Sequence, residues 1–191
     1  MKKIILASNS FLKKLVLEKS KLDFNIDPAD IDESKFDYLD PEDRVRGISL
    51  EKCESVRDRH PESIIIAADT LTLLDGETIG KPKDMEEAYR MAIKQSGKKI
   101  LALTGITLYD PRKGFFTKLS KTRITYQKFD RSDLERLFKD NFPLRMASGL
   151  GLFIDAPGFT LVQSINGSYT GAYGMPMEIV YKYLHQFGHI Y

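Results

Sequence analysis

Residues 1–20 read MKKIILASNSFLKKLVLEKS, and the fold is decided by how the polar Ser8-Asn9-Ser10 in their middle is understood. Before it, Ile4, Ile5, Leu6 and Ala7 form an apolar run suited to a buried strand. After it, Leu12, Leu15, Val16 and Leu17 recur at helical spacing among Lys13, Lys14 and Lys19. The serines therefore sit at a strand-to-helix turn. Such a turn leaves the first backbone N–H groups of the helix unpaired and gathers their partial positive charge, which favours an anion, with phosphate the obvious candidate. The plainer alternative is that Ser8, Asn9 or Ser10 is an N-cap.

The alternation continues along the chain. DPEDRVRGISLEKCESVRDRH reads as a helix with Asp40 as N-cap, Pro41 at the first helical position, and Val45, Ile48 and Val56 roughly on one side. SIIIAADTLTLLDGETIG reads as a strand ending in Asp69 and Thr70, then a second short strand with a turn at Asp75-Gly76. KDMEEAYRMAIKQSGKK predicts a helix ended near Gly97, and ILALTGITLYDPRKGFFTKLSKTRITYQKF predicts a strand, a Pro-Gly turn and a further pair of strands. Another helix, capped by Asp130 or Ser132, and a last one beginning near Pro176 complete the pattern. Strands alternating with helices predict an α/β fold whose sheet is mixed, built as one unit over residues 1–191.

Composition narrows the function classes. The 191 residues can bury a substantial core as one domain, or as two lobes sharing one. With 29 basic against 27 acidic side chains the formal charge is only +2, too near balance to advertise a nucleic-acid or anionic-membrane surface. The single cysteine, Cys53, excludes an intrachain disulfide and a multi-cysteine metal cluster. Only four apolar residues separate Lys3 from Ser8, too few for a signal-peptide core, and no later stretch approaches a membrane span, so a cytoplasmic protein is expected.

Three features can carry chemistry. Asp69 is delivered by an apolar strand to a sheet edge, where open α/β folds place ligands, although an Asx-turn or helix cap is the commoner local meaning. Lys81, between a glycine and a proline in GETIGKP, sits in a stiff loop able to hold an ammonium against phosphate, although a solvated lysine is the commoner meaning. DIDES offers Asp30, Asp32 and Glu33, hard oxygen donors suited to Mg²⁺, or simply a solvated acidic loop.

Their order is more specific than any one of them. LASNS, DIDES, EKCESV on a helix, AADT, GKP followed by EEA, SGKKILALTG and a late GSYTGAYGMP together resemble the Maf family of nucleoside triphosphate pyrophosphatases, from Ile4 to the final helix. The resemblance implies a Maf/ITPase-like architecture: a mixed twisted sheet with helices on both sides and two lobes around a cleft. It implies hydrolysis of a nucleoside triphosphate to the monophosphate and pyrophosphate with a divalent cation, Mg²⁺ or Mn²⁺. Matched position by position, the family's amino-terminal serine falls on Ser8 or Ser10, its acidic metal residue on Glu33, its helix lysine on Lys52, its active-site aspartate on Asp69 and its loop lysine on Lys81. By this resemblance the turn at Ser8-Asn9-Ser10 faces a triphosphate. Glu33 and Asp69 are expected to hold metal or orient water, Lys52 and Lys81 to bind phosphate oxygens, and Asp69 to serve as general base. Thr70 resembles the branch acting on pyrimidine triphosphates such as dTTP and UTP. A link to septum formation follows from the family, and a homodimer stays open.

The chain also departs from the family pattern. The opening motif usually continues with proline and arginines; here SFLKK places Phe11 and Leu12 there, and Lys13 and Lys14 keep charge without the bidentate fork of arginine. Lys98 and Lys99 stand where a histidine is usual. NFPLRMASGLGLF, with Asn141, Phe142 and Met146, replaces a stretch that in relatives carries an acidic residue and a lysine. These departures keep a second reading in play, a catalytically impaired nucleotide-binding homologue with a regulatory role in cell division.

Overall fold

The computed structural model of the protein describes residues 2–137 and 157–189. Its strands and helices follow in the order β1 (Ile4–Leu6), α1 (Phe11–Lys19), β2 (Asn25–Ile26), α2 (Pro41–Arg57), β3 (Ile64–Leu74), β4 (Glu77–Ile79), α3 (Met85–Ile93), β5 (Lys99–Asp110), β6 (Gly114–Tyr126), α4 (Arg131–Leu137), β7 (Val162–Asn166) and α5 (Met177–Gln186). The seven strands form one sheet in the order β2-β1-β3-β5-β6-β7, with β4 also paired to β3. β1 runs parallel to both β2 and β3, whereas β3–β4 and β6–β7 are antiparallel. The sheet is mixed, as the alternation of elements predicts.

Two expectations about strand ends are corrected. β3 does not stop at Asp69-Thr70 but runs on to Leu74. The continuation TLTLL is β-branched and apolar, and it is stapled by antiparallel pairing of Thr72, Leu73 and Leu74 to Ile79, Thr78 and Glu77. The expected turn joins them, with Asp75 and Gly76 both at positive φ (54° and 89°), the backbone that a two-residue hairpin requires. Similarly, residues 114–126 are one long strand rather than two, since no glycine or proline interrupts them after Gly114.

The chain falls into two compact units. The first comprises Met1–Thr70, Leu103–Lys121 and Ser168–Tyr191; the second comprises Leu71–Ala102 and Thr122–Gly167. In the first unit, alternate residues of the strands feed two separate apolar layers, as a period of two dictates. Ile4, Leu6, Ile64, Ile66, Ala68, Ile106 and Leu108 pack with Leu17 of α1 and Val180, Tyr183 and Leu184 of α5. Ile5, Ala7, Ile65 and Ala67 pack with Cys53 and Val56 of α2. Helices thus cover both sides of the sheet. In the second unit, Arg131 of α4 makes a two-pronged contact with Glu86 of α3, at 2.7 and 2.9 Å, and stacks over Tyr89.

Candidate active site

Helix α2 carries the first component. Asp40 caps it, its Oδ1 accepting from the backbone N–H of Glu42 (2.9 Å) and Asp43 (3.1 Å), and Pro41 opens it. The buried side chains Val45, Ile48, Cys53 and Val56 fix its rotation. That rotation carries Lys52, one residue before the buried Cys53, over β3, where its Nζ donates to Asp69 Oδ1 at 3.1 Å. Asp69 is in register with Ile65 and Ala67, the strand residues that pack on α2.

Glu33 arrives from the 3₁₀ turn Glu33–Phe36 and lies 2.6 Å from the same Lys52 Nζ. Asp32 holds the start of this turn, its Oδ1 accepting from the backbone N–H of Ser34 at 3.1 Å and from its hydroxyl at 2.6 Å. Of the three acids in DIDES, one is therefore spent as a cap, Asp30 is exposed, and Glu33 is the one that reaches Lys52. Upstream, Asp27 accepts from Arg59 Nε at 2.8 Å and lies 2.7 Å from His60 Nε2, which ties the head of this loop to the turn that follows α2.

The result is an ammonium between two carboxylates. The side chains of Lys52 and Asp69 are only 15% and 13% exposed, and that of Glu33 is 49% exposed. Burial alone would push the Lys52 pKa down, but the Asp69 and Glu33 carboxylates outweigh it and hold it above the ordinary lysine value. Lys52 is charged at neutral pH. The Glu33 and Asp69 oxygens are hard donors of the kind Mg²⁺ prefers. Among the described residues no group of three or more His, Cys, Asp or Glu side chains could hold a metal ion. A two-carboxylate set fits an ion that takes its remaining ligands from water and substrate phosphate.

Thr70 uses the opposite side of β3. Its Oγ1 is 3.1 Å from Thr104 Oγ1, and Thr104 in turn donates to the Gly171 carbonyl at 3.2 Å. Since a carbonyl only accepts, the proton between the two threonines belongs to Thr70, and Thr70 Oγ1 has acceptor capacity left. Next to it is Gly174, with φ +78°. A Cβ built there would lie 2.6 Å from Thr70 Oγ1, 3.3 Å from Lys13 Cε and 3.4 Å from Lys13 Nζ, so the missing side chain at Gly174 makes room for both groups.

The opening turn is shaped by its serines. Ser10 occupies the N-cap position of α1 but its side chain makes no capping hydrogen bond, and Ser8 Oγ accepts from the Ser10 N–H at 3.1 Å. The amino-terminal end of α1 is thus left without a side-chain cap. Lys13 and Lys14 part company: Lys13 lies by Gly174 and Thr70, whereas Lys14 is exposed and 3.6 Å from Glu18, one turn along the helix. Leu12 is half-buried, and Leu17 is the one fully buried residue of α1.

Lys81 belongs to the second unit, on the segment between β4 and α3, exposed and followed by the buried Pro82. The first unit brings together Glu33, Lys52 and Asp69 on one side of β3, and Lys13 and Thr70 on the other. NFPLRMASGLGLF, with Asn141, Phe142 and Met146, lies outside the described residues. Cys53 is fully buried and burial pushes its thiol pKa well up, which suits packing and not nucleophilic chemistry. Sequence reasoning missed Thr104 and Gly174, although a polar residue within ILALTGITL and the glycines of GSYTGAYG were both visible signals.

Comparison with known proteins finds relatives along nearly the whole chain. The family model described as Maf-like protein matches residues 3–187. A dTTP/UTP pyrophosphatase of Bacillus cytotoxicus is 33% identical over 187 residues, which is 98% of this chain and 96% of the relative. The protein of the same description from Bacillus pumilus is 31% identical over 189 residues, 98% of each chain. That from Citrifermentans bemidjiense is 33% identical over 179 residues, 93% of this chain and 92% of the relative. Among solved structures, a nucleoside-triphosphatase described as a dITP/XTP pyrophosphatase, from Mycobacterium abscessus, has a TM-score of 0.38 and 14% identity over 66% of this chain and 75% of its own.

Proposed function

The chain belongs to the Maf-like protein family, and we propose that it is the family's dTTP/UTP type, a nucleotide pyrophosphatase that releases pyrophosphate from a pyrimidine nucleoside triphosphate. The reaction class is supported by relatives of that description along nearly the full length of both chains. The same similarity leaves the impaired regulatory homologue without support. The observation that carries the residue assignment is the clamp of Lys52 between Glu33 and Asp69, at 2.6 and 3.1 Å.

Hydrolysis forms a bond from water oxygen to the α-phosphorus, breaks the bond from that phosphorus to the α–β bridging oxygen, and lets pyrophosphate leave with the electron pair. The protein's tasks are to place the water and offset negative charge. Lys52, held charged, supplies fixed positive charge to phosphate oxygens. Asp69 orients the water and accepts its proton, which passes on to solvent. A divalent cation held by Glu33 and Asp69 oxygens would further offset charge on the triphosphate. Ser8, Ser10 and the amino-terminal end of α1, with Lys13, bind phosphate from the other side of the strand; Lys14, turned to solvent, contributes at most long-range charge. Lys81 is assigned a phosphate contact by its match to the family's loop lysine.

The test is a panel of canonical and modified nucleoside triphosphates with Mg²⁺, Mn²⁺ or chelator, with pyrophosphate and orthophosphate read separately. Pyrophosphate and monophosphate from dTTP and UTP, lost on chelation, are expected. Orthophosphate as the product, or no turnover of any member, overturns the reading. A cytoplasmic site of action and a part in septum formation are further expectations of family membership, to be tested by fractionation and by the division phenotype of a deletion.

A further inference from the structure

Glu33 stands on an exposed one-turn 3₁₀ segment, yet it must hold a fixed place against Lys52. The ion pairs around that segment, Lys35 with Glu51 at 3.3 Å and Arg44 with Asp37 at 2.7 Å, each have one exposed partner open to solvent screening and are weak restraints. The apolar contact is of another kind. Gly47 lies inside α2, where glycine is the poorest helix former after proline, and the space its Cβ would fill is taken by the ring of Phe36. A Cβ built on Gly47 would lie 2.5 Å from Phe36 Cε1 and 2.7 Å from Cδ1. The ring of the last residue of the turn therefore rests on bare helix backbone, five positions before the lysine that the first residue of the turn contacts.

We propose that Phe36 is a positioning residue: seated on the Cα of Gly47, its ring docks the Glu33–Phe36 turn on α2 and so sets the distance from Glu33 to Lys52. The proposal rests on the reading of Glu33 and Lys52 as active-site groups. The glycine gives up helix propensity in exchange for a close approach that alanine forbids. Phe36 is not among the residues described above for either apolar layer of the sheet.

Four variants test this: Gly47→Ala, Phe36→Ala, the double variant, and Glu33→Gln as the direct control. Each is measured for melting temperature, for kcat and KM on dTTP, and for the side-chain NMR signal of Lys52 in lysine-labelled protein. Gly47→Ala is expected to melt no lower than the parent, since alanine favours helix, and to lose roughly tenfold in kcat, as removal of a ligand-orienting contact does, with KM within about threefold of the parent. Its Lys52 signal should move in the same direction as in Glu33→Gln. The double variant should be no worse than Phe36→Ala alone, because the two changes remove one contact. An unmoved Lys52 signal in both Gly47→Ala and Phe36→Ala overturns the proposal whatever the rates. So does full activity of those variants beside an impaired Glu33→Gln, or strict additivity of the two changes. An unimpaired Glu33→Gln instead strikes at the assignment of Glu33, while the Lys52 signal still decides whether Phe36 sets the geometry.

Discussion

Asp69 and Thr70 are consecutive, yet they belong to two different environments. Strand alternation sends Asp69 to the α2 side, where it meets a half-buried ammonium and a second carboxylate, and Thr70 to the α1 side, where it enters a neutral chain of hydroxyl, hydroxyl and carbonyl. One side sets an ammonium between two carboxylates, and the other sets oriented dipoles beside a single cation, Lys13. Under the proposed function, the charged side acts on the reacting phosphoryl group and the hydroxyl side on what positions the substrate. Two adjacent residues therefore carry separable tasks, and kinetic parameters should separate them.

The largest effect tests that separation directly. Asp69→Asn keeps the shape and removes the proton acceptor, and should lower kcat by roughly 10²- to 10⁴-fold with KM little changed. If KM rises and kcat holds, the division between the two sides of β3 fails. On the hydroxyl side, Thr70→Val removes one hydrogen bond and should raise KM roughly fivefold, equivalent to about 1 kcal/mol, with kcat nearly intact. Thr104→Val should reproduce part of that change without touching the site, and Thr104→Ser should restore it.

A third comparison uses pH. The Lys52 pKa is raised in the fold, so its ion pairs contribute stability that is fully present below the ordinary lysine value of about 10.4 and is lost as pH rises through the higher folded value. Lys52→Met should remove that portion of alkaline destabilisation, seen as a flatter melting-temperature profile above pH about 10. No comparable change is expected from Thr70→Val. The smallest effect contrasts two helix starts. Asp40→Ala deletes two capping bonds and should cost about 1 kcal/mol, whereas Ser10→Ala deletes none and should leave stability within about 0.5 kcal/mol while weakening substrate binding.

The architecture was readable where period and punctuation agreed. The strand and helix around Ser8-Asn9-Ser10, the Asp40-Pro41 start, the Asp75-Gly76 turn and the last helix after Pro176 each combine a clear period with a turn or cap residue. The extension of β3 past Asp69 was not readable, because Asp and Thr look like a strand exit until the hairpin partner is in view. For the candidate site, the resemblance supplied Glu33, Lys52 and Asp69 individually, and α2 brings them together for a reason the letters do show, the apolar stripe ending at Cys53 and Val56. Spacing alone did not reveal that Asp32 serves as a cap, that Lys13 and Lys14 diverge, or that Thr104 orders Thr70. The first is a local contact to Ser34 that an acidic run conceals, the second follows from helix rotation, and the third depends on a contact between distant segments.

The place of β1 in the sheet has a consequence for synthesis. β1 is made before either of its neighbours, yet it lies between β2 and β3, and Ile4 pairs with Ile64, sixty positions later. At about 5–20 residues per second, an apolar strand waits on the order of several seconds for its main partner. It waits longer still for Val180 and Leu184 of α5, which close the layer over Ile4 and Leu6. Until α5 emerges, the nascent chain carries an uncovered apolar strand, where a chaperone would bind.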